Sequence, residues 1–379
     1  MPAARSNAVQ GGALAGDMLQ HRTAFGNNPP GVNGYQLLYS FTQKSGRSAQ
    51  AGLVSVNGKL YGTTAAGGPK GHGNVFSVTT AGVEQMIYTF KGGTDGQTPV
   101  AAMIDVNGTL YGTTADGGTT GKGTVFSITP AGVENVIYSF KGGTDGASPQ
   151  AAMIDVNGTL YGTTTSGGAA GSGTVFSVTP AGVENVIYAF KGRRIDGELP
   201  YAGLIDVNGT FYGTTCFGGT AGLGTVFSVT PAGVEQIVHN FGNHIAGGEC
   251  PYAALIDVNG TLYGTTGVGG TNGDGTIFSM TPQGVETVLH TFKGTWDGSR
   301  PYAALIDVNG TLYGTTSTGG TSDSGRVFSV STSGMVKVLH TFSTDSEELA
   351  PLLDVDGTLY GATLNGGVAG DGSIFKLQP

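Results

Sequence analysis

The chain is short of charge. Asp, Glu, Lys and Arg make up 11% of its 379 residues, and the acidic excess leaves a net charge of −9. That balance offers no basic footprint for a phosphate backbone, which argues against nucleic acid, and its sign disfavours adsorption to anionic lipid. No apolar run approaches the roughly 18 residues that a membrane span requires. No segment sustains a helical period. There are six histidines, two cysteines and one tryptophan. The histidines do not cluster, no Cys/His spacing suits a metal, and no GxSxG elbow occurs, so neither a metal centre nor a cofactor is expected. "DVDG" at Asp354–Gly357 opens like a calcium loop but lacks the downstream Glu.

What is abundant is glycine, with 70 residues. It is periodic and interleaved with Val, Ile, Leu, Phe and Tyr, which can build a core. The phrase "LYGTT", or a near variant, places Tyr at 61, 111, 161, 212, 263, 313 and 360. The second copy shows the grammar of the repeat. It predicts strand A over Ala101–Val106, an Asn-Gly turn, strand B over Thr109–Thr114, a Gly-rich loop, strand C over Thr124–Thr129, a Pro-x-Gly turn, and strand D over Val133–Phe140. Asn-Gly between two β-rich runs is a strong hairpin signal, because both residues tolerate positive φ. Four strands repeated seven times predict an all-β fold, a seven-bladed β-propeller of four-stranded antiparallel blades. The seventh repeat has no strand D after its strand C. Tyr35–Phe41, in "GVNGYQLLYSF", reads as that strand, so the N-terminal strand is expected to complete the last blade and close the ring. Residues 1–34 read as a flexible leader without a secretory core, and 35–379 as one propeller domain.

The "YGTT…GG…GTVF" phrase resembles the tandem GloVer-type repeats of bacterial extracellular proteins, from about Tyr35 to the C terminus. The resemblance implies a secreted or surface-anchored bacterial repeat protein. It brings no general catalytic motif to carry over.

Copies within the chain differ in one place. The strand B Tyr and strand C Phe are always 15 residues apart, and that Phe and the strand D Phe always 14. Every length change falls between strand D and the next strand B Tyr, where the interval runs from 18 to 22. That interval holds the D–A crossover, which shares a face of the disc with the B–C loop. This D–A/B–C face is the candidate functional face.

Three crossovers carry the candidate residues. "FKGRRIDGELPY" holds Arg193, Arg194, Asp196, Glu198 and Tyr201. "FGNHIAGGECPY" holds His244, Cys250 and Tyr252. "FKGTWDGSRPY" holds Trp296, Asp297, Arg300 and Tyr302. Aromatic faces beside Arg and Asp suit a sugar, so Trp296, Asp297, Arg300, Tyr302, Tyr252 and Tyr201 are the expected ligand-binding set, with a carbohydrate as ligand. The alternative is that they seal loop packing. An enzyme on the same face, a polysaccharide lyase or other carbohydrate-active enzyme, would draw its base from His244 or one of the three tyrosines, Tyr201, Tyr252 or Tyr302, and the cation that neutralises a uronate carboxylate from Arg193, Arg194 or Arg300. A protein-binding scaffold is the third reading. The repeated Asp of "IDVNG" reads as a turn cap. Cys216 and Cys250 fall on one face of adjacent blades, where either a disulfide or two free thiols fit.

Overall fold

The computed structural model describes residues 34–242, 247–320, 323–342 and 350–379. It is a seven-bladed β-propeller of four-stranded antiparallel sheets. In blade 2 the strands are Ile104–Val106, Thr109–Thr114, Thr124–Ile128 and Glu134–Ser139, paired in that order. Strand A is shorter than the sequence predicts. Ala101–Met103 runs ahead of it without joining the ladder, and Met103 is buried in the seam with blade 1. The A strands of neighbouring blades touch one another, which puts them at the hub and the D strands at the rim. The described helical structure is a single 3-10 turn at Gly93–Asp95.

Blade 7 takes strands Leu353–Val355, Thr358–Thr363 and Ser373–Leu377 from the C-terminal end and Tyr35–Ser40 from the N-terminal end. Tyr35 pairs with Leu377 and Ser40 with Ser373, antiparallel, with a register shift between Leu37 and Tyr39. The other blades carry the corresponding shift between their C and D strands, at Val125/Phe126 in blade 2. The N-terminal strand is therefore a true strand D.

Each residue of the repeated phrase has a packing reason. Asn107 and Gly108 both take positive φ, 53° and 83°, in the A–B turn. The Asp105 carboxylate accepts the Gly108 N–H at 2.9 Å, and Asp206 and Asp307 repeat this bond at Gly209 and Gly310. Gly112 of "LYGTT" lies under the Phe126 ring, and a Cβ there would stand 2.6 Å from Phe126 Cζ. A side chain would overpack the blade. The Phe ending each strand D meets the strand C Phe of the next blade edge-on, as in Phe90–Phe126 at 5.2 Å. Such pairs run through all seven seams, with Phe41–Phe76 at 4.9 Å and Phe342–Phe375 at 5.4 Å on either side of blade 7. Burying these rings between blades, rather than within them, ties stability to closure of the ring.

The outer seams carry a second recurring cluster. The Tyr88 hydroxyl donates to Asp95 at 2.7 Å, and Glu134 of the next blade approaches the pair. Tyr138, Asp145 and Glu184 repeat the arrangement, as do Tyr188, Asp196 and Glu235. Burial, with the nearby Asp95 charge next, pushes the Glu134 carboxyl up to about 7, and Glu184 is raised to about 7 by burial and Asp145.

Candidate functional site

The loop face is assembled by a shared device. Ser48, Thr98, Ser148, Leu199, Cys250 and Arg300 occupy equivalent places in six crossovers, and all have φ between 50° and 62°. Left-handed backbone at a non-glycine residue costs about 1–3 kcal/mol, so something must hold it. Arg300 shows what does. Its N–H donates to Asp274 O of the preceding blade at 2.9 Å, and its carbonyl accepts Ser317 N–H of its own blade at 3.0 Å. Cys250 does the same with Leu223 and Gly267, at 2.9 and 3.1 Å. One strained residue thus links two blades.

At Cys250 a covalent link is added, because Cys216 and Cys250 form a disulfide. The disulfide joins the B–C loop of blade 4 to the crossover entering blade 5. The two residues just before Cys250, Gly248–Glu249, form a short ribbon with Val268–Gly269. Val268 in turn lines a cleft of about 500 Å³ on this face.

The cleft lies between the blade 5 and blade 6 loops. Asp274, Thr295, Ser299, Arg300, Thr318 and Asp323 supply most of its polar wall. Ser299 Oγ donates to Asp274 Oδ1 at 2.7 Å, and Asp323 Oδ1 accepts the Gly319 N–H at 2.7 Å. Trp296 follows the lining residue Thr295 at the tip of the crossover and is 78% exposed. The tip is closed by two backbone bonds between Gly294 and Gly298, at 3.0 and 3.1 Å. Asp297 closes it from the side: its carboxylate accepts from His290 Nε2 at 2.8 Å and from Lys293 N–H at 2.7 Å. Burial opposes ionisation there, but those hydrogen bonds outweigh it and hold the Asp297 carboxyl below the usual carboxylate range. Asp297 shapes the loop, in the place that Asp95 and Asp145 occupy in blades 1 and 2, and its two oxygens are engaged within it.

The three tyrosines form a separate arc near the hub. Tyr201 stacks on Tyr252 with centroids 4.6 Å apart, and Tyr252 leans on Tyr302 at 5.3 Å. All three are half-buried. Gly267 sits against the Tyr302 ring, where a Cβ would stand 2.2 Å from it, and the next residue is the cleft-lining Val268. Arc and cleft are therefore neighbours. Arg193 and Arg194 are exposed on the blade 3–4 crossover, in a different loop, with Glu198 accepting the Arg193 N–H at 3.2 Å. Asp196 is 2% exposed and accepts from Tyr188, Lys191 N–H and Gly192 N–H. His244 lies outside the described residues. Among the described residues no three His, Cys, Asp or Glu side chains gather as a metal site, and no helix is long and apolar enough to cross a membrane.

The sequence pattern of the Gloeobacter/Verrucomicrobia repeat matches residues 5–223 and 204–379. The chain belongs to that repeat family. No protein with a curated description is similar to this repeat protein in sequence. Its fold is similar to that of the BP39L lectin from Burkholderia pseudomallei, at 14% identity and TM-score 0.60, over 88% of this chain and 96% of the lectin. It is also similar to virginiamycin B lyase from Staphylococcus aureus, at 13% identity and TM-score 0.59, over 91% and 98%. These likenesses concern the fold.

Asp274, Ser299, Asp323 and Arg326 are the residues that sequence reasoning passed over. For Arg326 a signal existed. It begins strand C of blade 6, where the other blades have Asn74, Thr124, Thr174, Thr225, Thr276 and Ser373.

Proposed function

We propose that this repeat protein binds a carbohydrate on its D–A/B–C loop face, at the boundary of blades 5 and 6. The observation that carries the reading is Trp296. It is the only tryptophan of the chain, exposed at a closed loop tip, beside a cleft lined by hydroxyls, two carboxylates and Arg300. An aromatic face stacks on the apolar C–H side of a sugar ring, and convergent polar groups orient its hydroxyls. The tyrosine arc beside the cleft offers a second apolar surface. That a lectin is built on a similar propeller supports the reading by analogy of fold. A secreted or surface location fits the disulfide, which persists in oxidising compartments.

The test is a glycan array followed by titration of Trp296 fluorescence. An array-positive oligosaccharide should perturb the emission, and Trp296→Ala should weaken binding about tenfold or more, as loss of a central aromatic anchor does. An empty array, or binding that Trp296→Ala leaves intact, overturns the assignment. Unsaturated products from a uronate polysaccharide would instead favour a lyase on this face.

A further inference from the structure

Blade 6 breaks the repeat at one buried position. In blades 2 to 5 the first residue of strand C is a threonine whose hydroxyl meets that of the last strand B threonine. The pairs are Thr114–Thr124, Thr164–Thr174 and Thr215–Thr225 at 2.8 Å, and Thr266–Thr276 at 2.9 Å. Blade 6 places Arg326 there, with 9% of its surface exposed. Burying a guanidinium is costly unless its charge and its donors are answered. Here the answer is incomplete. Nη1 donates to Thr341 Oγ1 at 2.9 Å and Nη2 to Thr295 O at 2.8 Å, while Nε is buried with no partner among the described residues. Among the described residues no carboxylate lies within ion-pair distance of it.

The acceptor explains the position. Thr295 belongs to the preceding crossover and directly precedes Trp296, so Arg326 crosses the seam to hold the loop that carries the tryptophan. Nη2 also lies beneath Gly320, where a Cβ would stand 3.1 Å from it. Thr295 and Gly320 both line the cleft, and one guanidinium bonds the first and lies against the second. Asn74 of blade 1 makes a shorter version of this link, with Nδ2 donating to Ser45 O at 3.2 Å. A threonine is too short to reach. An aromatic platform that is mostly exposed gains little from its own contacts, so its orientation depends on what anchors its loop.

We propose that Arg326 is a positioning residue, which fixes the Trp296 loop against blade 6 and so presets the sugar-binding platform. The proposal rests on the reading of Trp296 as a ligand contact, but its first test does not need a ligand. Arg326→Thr installs the residue that blades 2 to 5 already use and allows a hydroxyl pair with Thr316, so the fold should survive. In the unliganded protein the fluorescence anisotropy of Trp296 should fall and its quenching by acrylamide should rise. Binding of an array-positive oligosaccharide should weaken about tenfold, the scale of ordering a side chain and its loop on binding. In a Trp296→Ala background the same change should add nothing. Arg326→Lys should restore part of the anisotropy. A folded Arg326→Thr protein with unchanged anisotropy and quenching overturns the proposal, as does an equal loss of affinity with Trp296 absent. If Arg326→Thr does not fold, Arg326→Gln, which keeps an amide-capped stem but removes the charge and both Nη donors, is judged by the same anisotropy criterion. Lowered anisotropy with oligosaccharide binding indifferent to both substitutions would sustain the tether and refute the sugar-binding role of Trp296.

Discussion

Replacing both half-cystines, Cys216→Ala with Cys250→Ala, isolates what the disulfide contributes. The two residues are 34 apart in sequence. In the chain-entropy account, closing a loop of that length in the unfolded chain is worth about 3.8 kcal/mol at 25 °C. The folded state has little reason to change. Cys250 N–H still meets Leu223 O, its carbonyl still accepts Gly267 N–H, and Cys216 N–H still meets Leu199 O. Cys216 is 4% exposed, so loss of its sulfur adds a packing loss of about 1 kcal/mol or less. The expected total is therefore about 4 kcal/mol, read from the urea midpoint of the double variant against the oxidised parent. The reduced parent should fall close to the variant. Hydrogen exchange at the Cys250 and Gly267 amides in the folded protein should be preserved up to the lower global stability. A loss below about 1 kcal/mol would show that the unfolded chain is already constrained there. Selective loss of those two amides would show that the bond holds the native loop in place, and the entropic argument would fail.

Two further outcomes follow from the seams. Phe41 is fully buried against Phe76, so Phe41→Ala should cost about 3–5 kcal/mol, and Phe140→Ala in a mid-chain seam should cost the same within error; thermal unfolding in which Phe41→Ala is far milder would mean that the N-terminal strand does not hold the ring. Glu134 and Glu184 are raised to about 7 in the fold from an ordinary 4.5, so the folded state binds extra protons between those values. Their contribution is full below about pH 4.5 and is lost as pH rises through 7. Burial of His340, stacked on Tyr35, holds its imidazole near 4 and works in the opposite direction below pH 6.5. Glu134→Gln with Glu184→Gln should therefore stabilise the protein more at pH 8 than at pH 5, and a pH-independent difference in melting temperature would refute the assignment.

The blades were legible because their signals are local. Asn107-Gly108 turns the chain by backbone preference alone, and the Tyr-to-Phe interval repeats wherever Gly112 and its equivalents must clear a ring. Strand A is shorter than its composition suggests because Ala101–Met103 has the residues of a strand but packs them into the seam with blade 1. The site was less legible because its residues act across seams. Asp297 looks like a ligand beside Trp296, yet its partner His290 sits on the preceding strand, where the same pairing recurs as Tyr88–Asp95 and Tyr138–Asp145. The tyrosines and Trp296 share a motif in sequence, but they divide into a hub arc and a rim platform, because one crossover runs the radius of a blade. A lone arginine in a strand gives no hint of direction; only its departure from the repeat marks it.

The strand that closes the ring is made first and used last. Ser40 Oγ accepts the Val368 N–H across 328 residues of sequence, so the closing pairing of blade 7 cannot form while the intervening blades are unmade. At ribosomal rates of about 5–20 residues per second, Tyr35–Ser40 waits roughly 15–70 s for its partner strand to be made. During that interval blade 1 lacks the Phe41 ring that covers Phe76, and an aromatic-rich segment waits with both edges unpaired. The demand falls on the cell that makes the protein: either the waiting segment is shielded, or nascent rings compete to complete one another, exchanging first strands between chains. A trace of strand-swapped dimer in rapidly refolded protein, dispersing on slow refolding at low concentration, would be the mark of that competition.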